Sequence, residues 1–400
     1  MGGGGPWGAW RDVTGYRRGD PVVAVIAHLC CGQKVARTCI VSFRGLDRTP
    51  VRTMTYEFED IVAEADDTDL LVPRPSWRSD FEFRAISKFL PGSTRASRVD
   101  PGFQVAEPSG SYDLLFTVLG FPREVLAFNS IPNWRRHCAK AVCVLRELWV
   151  LELEPHRGLV DQLNQFDHVF VEYAGTVEPL QSRLDVPVSF LAPSVDTELF
   201  CPLPWRPERS IYATNIGRRS SALHQLLLEG CSARGLFYNY TTVAPAVVWD
   251  GPDHRRFLAE SLMRSRYSVM TRAKFDAIEQ EEAGFRYFEG AAAGAVLVGQ
   301  TVDNPEFPKL FDWPDAVLTA SEPELMDLML SLDEQPDRVD RIRRDNVSMS
   351  LLRHDCVHRW AEVLDAVGLD ALPGLARRTE RLKSLADEFV GAGPEARSNS

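Results

Sequence analysis

Glu281 to Gly299 reads EEAGFRYFEGAAAGAVLVG, and its punctuation decides the fold. Gly284 stops the preceding loop, helix-favouring residues run on to Ala293, and Gly294 ends them. Ala295 to Val298 is then an apolar run of strand length. A helix, a glycine and a buried strand in that order belong to a sheet with helices packed on its faces. A first helical turn that follows a glycine loop offers free N–H groups and the positive end of the peptide dipole to an anion. Glu281 stands before this helix and Glu289 inside it, with seven residues between them. Glu289 is placed to accept hydrogen bonds from a neighbouring diol. Anion and diol side by side suit a nucleoside diphosphate, its ribose and a sugar attached beyond.

Glu-x7-Glu followed by Gly-Ala-Ala-Ala-Gly-Ala-Val-Leu-Val resembles the donor-site signature of retaining glycosyltransferases with two Rossmann-like halves, the GT-B fold. RYFEGAAAGAVLVG is similar to the donor-domain segment of spore-maturation-type and family-1/family-4-like transferases. The resemblance implies that Glu289 binds the nucleotide ribose and that Glu281 lies near the transferred sugar or its phosphate. It places Gly284, Phe285 and Arg286 around the donor at the helix start. It also implies no protein-bound metal and no cofactor beyond the nucleotide-sugar co-substrate, the leaving-group charge being met by arginine, lysine and helix-dipole charge. Without the resemblance, the same residues read as an alanine-rich helix on a sheet with two surface glutamates.

Upstream, Ala192 to Pro207 (APSVDTELFCPLPWRP) holds four prolines and reads as the join between halves. It resembles the Pro-x-Gly-Val-Asp segment that enters the donor domain, with Ser194 where glycine is usual. Ser210 to Gly217 (SIYATNIG) is then the first strand of the second half, and Arg218 and Arg219 follow it. In the family this turn is the diphosphate loop, which makes Gly217 a backbone contact and the arginines countercharges for phosphate. The lysine usual a few residues later is missing, so which arginine faces the ligand stays open. Phe257 to Arg264 reads as a helix, Arg266 to Met270 as a strand and Thr271 to Glu282 as a loop, in which Lys274 is a second candidate point charge.

The first half alternates apolar runs with amphipathic stretches. VVAVIAHL (Val22 to Leu29) is a candidate strand ending near His28, a candidate site residue weighed against a structural histidine. CIVSFRGL from Cys39, Asp69 to Val72, Tyr112 to Phe116, Ala141 to Leu148, Phe166 to Glu172 and Val186 to Leu191 read as strands. Met54 to Ala65 is helical, and Trp134 to Lys140 is helix-like. Short apolar runs between amphipathic ones indicate a parallel sheet covered on both faces, with its ligand crevice beyond the carboxyl ends of the strands. Arg44, Gly120, Arg146, Glu147, Glu172 and Tyr173 occupy such ends. Glu147 is the catalytic candidate on the acceptor side, against the alternative of a capping carboxylate.

Beyond Gly299, Ser321-Glu322-Pro323-Glu324 is a capping box opening the helix Glu324 to Leu332, and Asp337 to Leu352 is another amphipathic helix. His354 and His358 have metal-pair spacing without an acidic third ligand, so no metal site is assigned. Leu372 to Phe389 is a charged amphipathic helix, and residues 391–400 read as a disordered tail.

A net charge of −11 over 400 residues excludes a broad nucleic-acid surface or an anionic-membrane platform. No apolar run is long enough for a transmembrane helix, and MGGGGPWGAW lacks the features of a secretory signal. The eight scattered cysteines read as buried thiols, and the location as cytoplasmic.

The expected protein is α/β with two Rossmann-like domains facing across a cleft. Residues 1–192 form the acceptor domain, 193–368 the donor domain, and 369–390 a helix crossing back to the first. Its expected activity is transfer of a sugar, with retention, from a nucleotide-diphosphate sugar to a small-molecule, glycan or peptide acceptor. An epimerase or phosphorylase of the same fold, or a silent binding subunit, is the alternative, and fold alone does not choose.

Overall fold

A computed structural model describes residues 36–391 apart from 45, 47–48, 91, 109, 218–219, 242–247, 249 and 275–278. The expected strand at Val22 to Leu29 with His28, the pair Arg218 and Arg219, Cys30, Cys31 and residues 392–400 lie outside the described residues. β1 (Thr38–Val41), β2 (Thr68–Leu71), β3 (Tyr112–Leu119), β4 (Cys138–Leu145), β5 (His168–Val171) and β6 (Val188–Phe190) form a parallel sheet in the order β2-β1-β3-β4-β5-β6. β7 (Ile211–Asn215), β8 (Tyr238–Tyr240) and β9 (Ser265–Met270) begin a second sheet. After the antiparallel pair β10 (Ala273–Lys274) and β11 (Glu281–Glu282), β12 (Val296–Gly299) and β13 (Leu318–Thr319) complete it in the order β13-β12-β9-β7-β8.

Both sheets start in their interior, step outward once and return to the other side of the first strand. Their switch points therefore fall between β1 and β3, and between β7 and β9, where an open parallel sheet binds ligands. β1, β5, β7 and β12 are buried along their whole lengths, as the apolar runs require.

Alternation along the strands sorts the first sheet's side chains onto two faces. Leu115, Leu119, Cys143 and Leu145 pack with the turns over residues 122–166, whereas Leu114, Phe116, Val118 and Val144 pack with the C-terminal helices. Trp360 meets Phe116 edge-on, ring centroids 5.1 Å apart, and its indole N–H donates to Asp66 at 3.2 Å. The return crossing thus includes the helix Cys356–Val367 as well as Pro373–Gly391, and begins before residue 369. An apolar face wide enough to cover the sheet needs both helices.

Two further expectations are corrected, and one helix is added. Of Trp134 to Lys140 only Trp134–His137 is helical, a short 3-10 helix that leads into β4 at Cys138, where cross-strand pairing takes over. The loop Thr271 to Glu282 contains the β10–β11 pair. The helix Trp77–Phe89, opened by Ser76 as its cap, was not expected. The two histidines turn to main-chain oxygens, His354 to Leu310 at 3.0 Å and His358 to Leu351 at 3.2 Å. The described cysteines are free and buried. Among the described residues no helix is long and apolar enough to cross a membrane.

The linker and the return crossing touch. Val195 N–H donates to His354 O, and Cys356 N–H to Val195 O, both at 3.1 Å. Arg378 locks them together. Its Nε and Nη2 donate to the two oxygens of Asp355 at 2.8 Å each, Nη2 also reaches Asp196 at 2.7 Å, and Nη1 reaches Glu64 at 3.1 Å and Glu198 at 3.3 Å. Arg378→Met leaves these carboxylates facing one another. It should cost about 3–5 kcal/mol in denaturant unfolding, the usual penalty for breaking a buried ion pair from one side. A loss under about 1 kcal/mol would show that the cluster does not hold the halves.

Candidate functional site

On the second sheet the switch point is built around Arg286. Gly217 follows β7 with φ +88°, a conformation that side chains disfavour, and a Cβ there would lie 2.8 Å from Arg286 Nη2. Arg286 Nη1 donates to Thr271 Oγ1, just past β9. A guanidinium in the first turn of the helix Phe285–Ala292 thus ties together the ends of β7 and β9. Gly284 precedes that helix, no side chain caps its amides, and a Cβ on Gly284 would meet nothing within 4 Å. Positive charge and uncapped N–H groups thus stand at the same helix start, with open space beside Gly284.

Glu289, on the same helix, is 6% exposed. Its Oε1 accepts from Arg255 Nη1, and Oε2 has no partner among the described residues. Arg255 comes from the helix Gly251–Met263 and lies over the ring of Phe200 at 4.9 Å. Its remaining donors go to the first half: Nε to Glu57 Oε2 at 2.7 Å and Nη2 to Glu57 Oε1 at 3.1 Å. Glu57 also accepts the linker N–H of Asp196 at 2.9 Å.

Glu281 has different neighbours. Its Oε2 accepts from Arg272 at 2.9 Å and from the N–H of Asp303 at 3.2 Å, and its backbone pairs with Lys274 between β11 and β10. The adjacent Glu282 crosses the cleft, taking the N–H groups of Ala174 at 3.0 Å and Gly175 at 2.9 Å. Gln280 beside it accepts from Val150 N–H and donates to Thr176 Oγ1, both at 3.0 Å.

The first half meets this face with Arg146, just past β4, whose guanidinium lies 4.8 Å from the ring centroid of Phe285. Arg146 pairs with Glu172 at 2.7 Å, and the backbone N–H of Glu147 donates to Gly120 O at 3.1 Å. Burial pushes the Glu172 carboxyl up to about 7, against the opposing pull of Arg146 and with a small push from Glu147. Farther along, a cavity of about 260 Å³ opens between Arg44, Thr53, Tyr56 and Asp60 of the first half and Val248, Gly251 and Pro252 of the second.

Of the residues singled out in the sequence, Gly217, Gly284, Phe285, Arg286 and Glu289 gather at one end of the second sheet. Glu281 and the backbone of Lys274 flank them, and Glu147 lies across the cleft. Glu57, Arg255, Glu282 and Arg272 escaped the sequence reading. Only the doubled Glu281-Glu282 carried a signal, and it left open which carboxylate crosses.

The fold is similar to those of solved structures. An α,α-trehalose-phosphate synthase (UDP-forming) from Burkholderia vietnamiensis superposes with a TM-score of 0.52 at 9% identity, over 83% of this chain and 100% of that one. An α-glucosyltransferase in complex with UDP-glucose and DNA containing an abasic site gives 0.51 at 13% identity, over 84% of this chain and 100% of that one. The fold is GT-B. Residues 231–365, which include Arg255, Glu281 and Glu289, match the family model described as glycosyl transferase-like. No curated protein matches the sequence.

Because the Glu172 carboxyl is raised in the folded chain, its neutral form favours folding. That contribution is full below about pH 4.5 and is lost as pH rises through about 7. Wild-type stability minus that of Glu172→Gln should therefore fall between pH 4.5 and 7.5 in denaturant titrations. A difference that rises with pH would mean that Arg146 holds the carboxylate ionised.

Proposed function

We propose that the protein transfers a sugar, with retention, from a nucleoside-diphosphate sugar bound by the second half to an acceptor held against the first. The observation that carries this reading is Glu289, a buried carboxylate with one oxygen anchored and the other uncommitted, on a helix whose open start carries Arg286. The uncommitted oxygen suits a ribose diol. The uncapped amides and Arg286 suit the diphosphate, whose charge grows as the glycosyl bond breaks. Arg218, Arg219 and Lys274 are further candidate cations by the family resemblance. Glu281, fixed by Arg272, stands on the sugar side, and Glu147 faces the acceptor. Charge from these residues takes the place that a metal holds in other transferases. Uridine is the base to test first, because the names of both superposed enzymes carry UDP.

In this reading residues 1–192, with the helices from Cys356 onward that return to them, form the acceptor side, and the chain from 193 to that crossing forms the donor domain. The contacts of Glu282 and Gln280 with residues 150–176 hold the halves closed, which excludes water from the transferring sugar.

A thermal-shift screen of nucleoside diphosphates tests binding, since stabilisation grows with the logarithm of ligand over Kd. Product analysis tests the reaction. Free nucleoside diphosphate with a new glycoside is the expected result, and an altered donor alone would make the protein an epimerase. Glu289→Ala should weaken diphosphate binding about ten- to a hundredfold, from the loss of charge-assisted hydrogen bonds worth about 1.5–3 kcal/mol. Unchanged affinity in calorimetry, with the fold intact, would remove Glu289 from the site. Arg286→Ala should lower kcat on the order of a hundredfold, as losing one oxyanion donor does elsewhere. A near-normal kcat would move the leaving-group charge to other residues.

A further inference from the structure

Arg255 is shared between two carboxylates from opposite halves, and the way it is shared matters. Glu57 takes Nε and Nη2 together, the fork that a carboxylate fits best. Only Nη1 remains for Glu289, so Arg255 reaches a single oxygen there. The Phe200 ring beneath the guanidinium and the Asp196 N–H on Glu57 fix both partners of the fork. Side-chain exposures of 3% for Arg255, 7% for Glu57 and 9% for Glu289 leave little water to compete.

We infer that Glu57, acting through Arg255, is a positioning residue for ribose recognition. By occupying the fork, it keeps Arg255 from closing on both oxygens of Glu289 and leaves Oε2 for the diol. Without the Glu57 charge, the strongest arrangement open to Arg255 is a two-pronged pair with Glu289, which covers the oxygen that the ribose needs. Glu57 lies on the helix Pro50–Ala65 of the first half, so the ribose site is complete only when the halves are docked. Donor binding and closure are then linked, each favouring the other by the same factor. The inference rests on Glu289 as the ribose ligand.

The test measures discrimination rather than affinity alone. The probes are the best-binding diphosphate of the screen, UDP where the base assignment holds, and its 2′-deoxy and 3′-deoxy counterparts, each titrated by calorimetry. Glu57→Gln keeps an acceptor for Asp196 N–H but gives up the charge. It should reduce the ribo-over-deoxy affinity ratio by at least about fivefold, the lower end of usual coupling. In a Glu289→Ala background the same change should leave the ratio where Glu289→Ala alone put it. Should Glu57→Gln not fold, Arg255→Lys carries the test, because a point charge cannot be divided as a fork can; the ratio should fall there too. A Glu57→Gln protein whose affinity for ribo and deoxy forms falls by the same factor, so that the wild-type ratio is kept, overturns the positioning role. A wild-type ratio near one, or one untouched by Glu289→Ala, instead removes Glu289 from the ribose, a separate failure.

Discussion

The pair between Arg378 and Asp355 is the constraint on which the arrangement of the two halves depends. The Arg378 side chain is 2% exposed and that of Asp355 0%, and two parallel N–H···O bonds join them. Such a pair gains little over a well-packed apolar contact, but losing one partner strands charge in the interior. Its value here lies in what it joins. Asp355 also takes the N–H and hydroxyl of Thr197 at 3.0 and 2.8 Å, so the chain leaving the first sheet and the chain returning to it share one anchor. The rest of the helix that carries Arg378 then reaches the first sheet with Leu382, Ala386 and Phe389 in its core.

Away from that anchor, the described contacts across the cleft include several polar ones. Glu282 rests on two main-chain N–H groups, Arg146 on the face of Phe285, and Arg255 between Glu57 and Glu289. Buried polar contacts of this kind specify a docked geometry without the large apolar area that would make docking permanent. The proposed transfer, which admits a donor and releases a nucleotide, needs that balance.

The layered fold was legible because strand and helix periods differ, and because glycines at 284 and 294 mark where one yields to the other. The run from Ser210 to Gly217 and the helix-strand unit of Glu281 to Gly299 are local signals, carried by neighbours in the chain. The helix Trp77–Phe89 was not legible, since Trp77, Phe81 and Phe89 face outward and blur the apolar stripe that would announce it. The cleft was legible only in part. Glu57 and Arg255 are 198 positions apart, and nothing in a single sequence distinguishes them from other charges on amphipathic helices. Glu282 was hidden by Glu281, whose spacing to Glu289 fits the familiar pattern while its neighbour reaches the other half.

The two-way bond of Val195 to His354 and Cys356 has a kinematic consequence. A single covalent linker would let the halves pivot, twist and slide about one point. Two strands of chain crossing side by side, tied through their main chains, act instead as the two leaves of a door hinge. Rotation about the line through the crossing is the soft motion, because it bends both passages together. Twisting one sheet over the other shears both of these hydrogen bonds. A crossing built this way favours a swing about one line over a free pivot, so contacts on the far side of the cleft lie on a common arc about it.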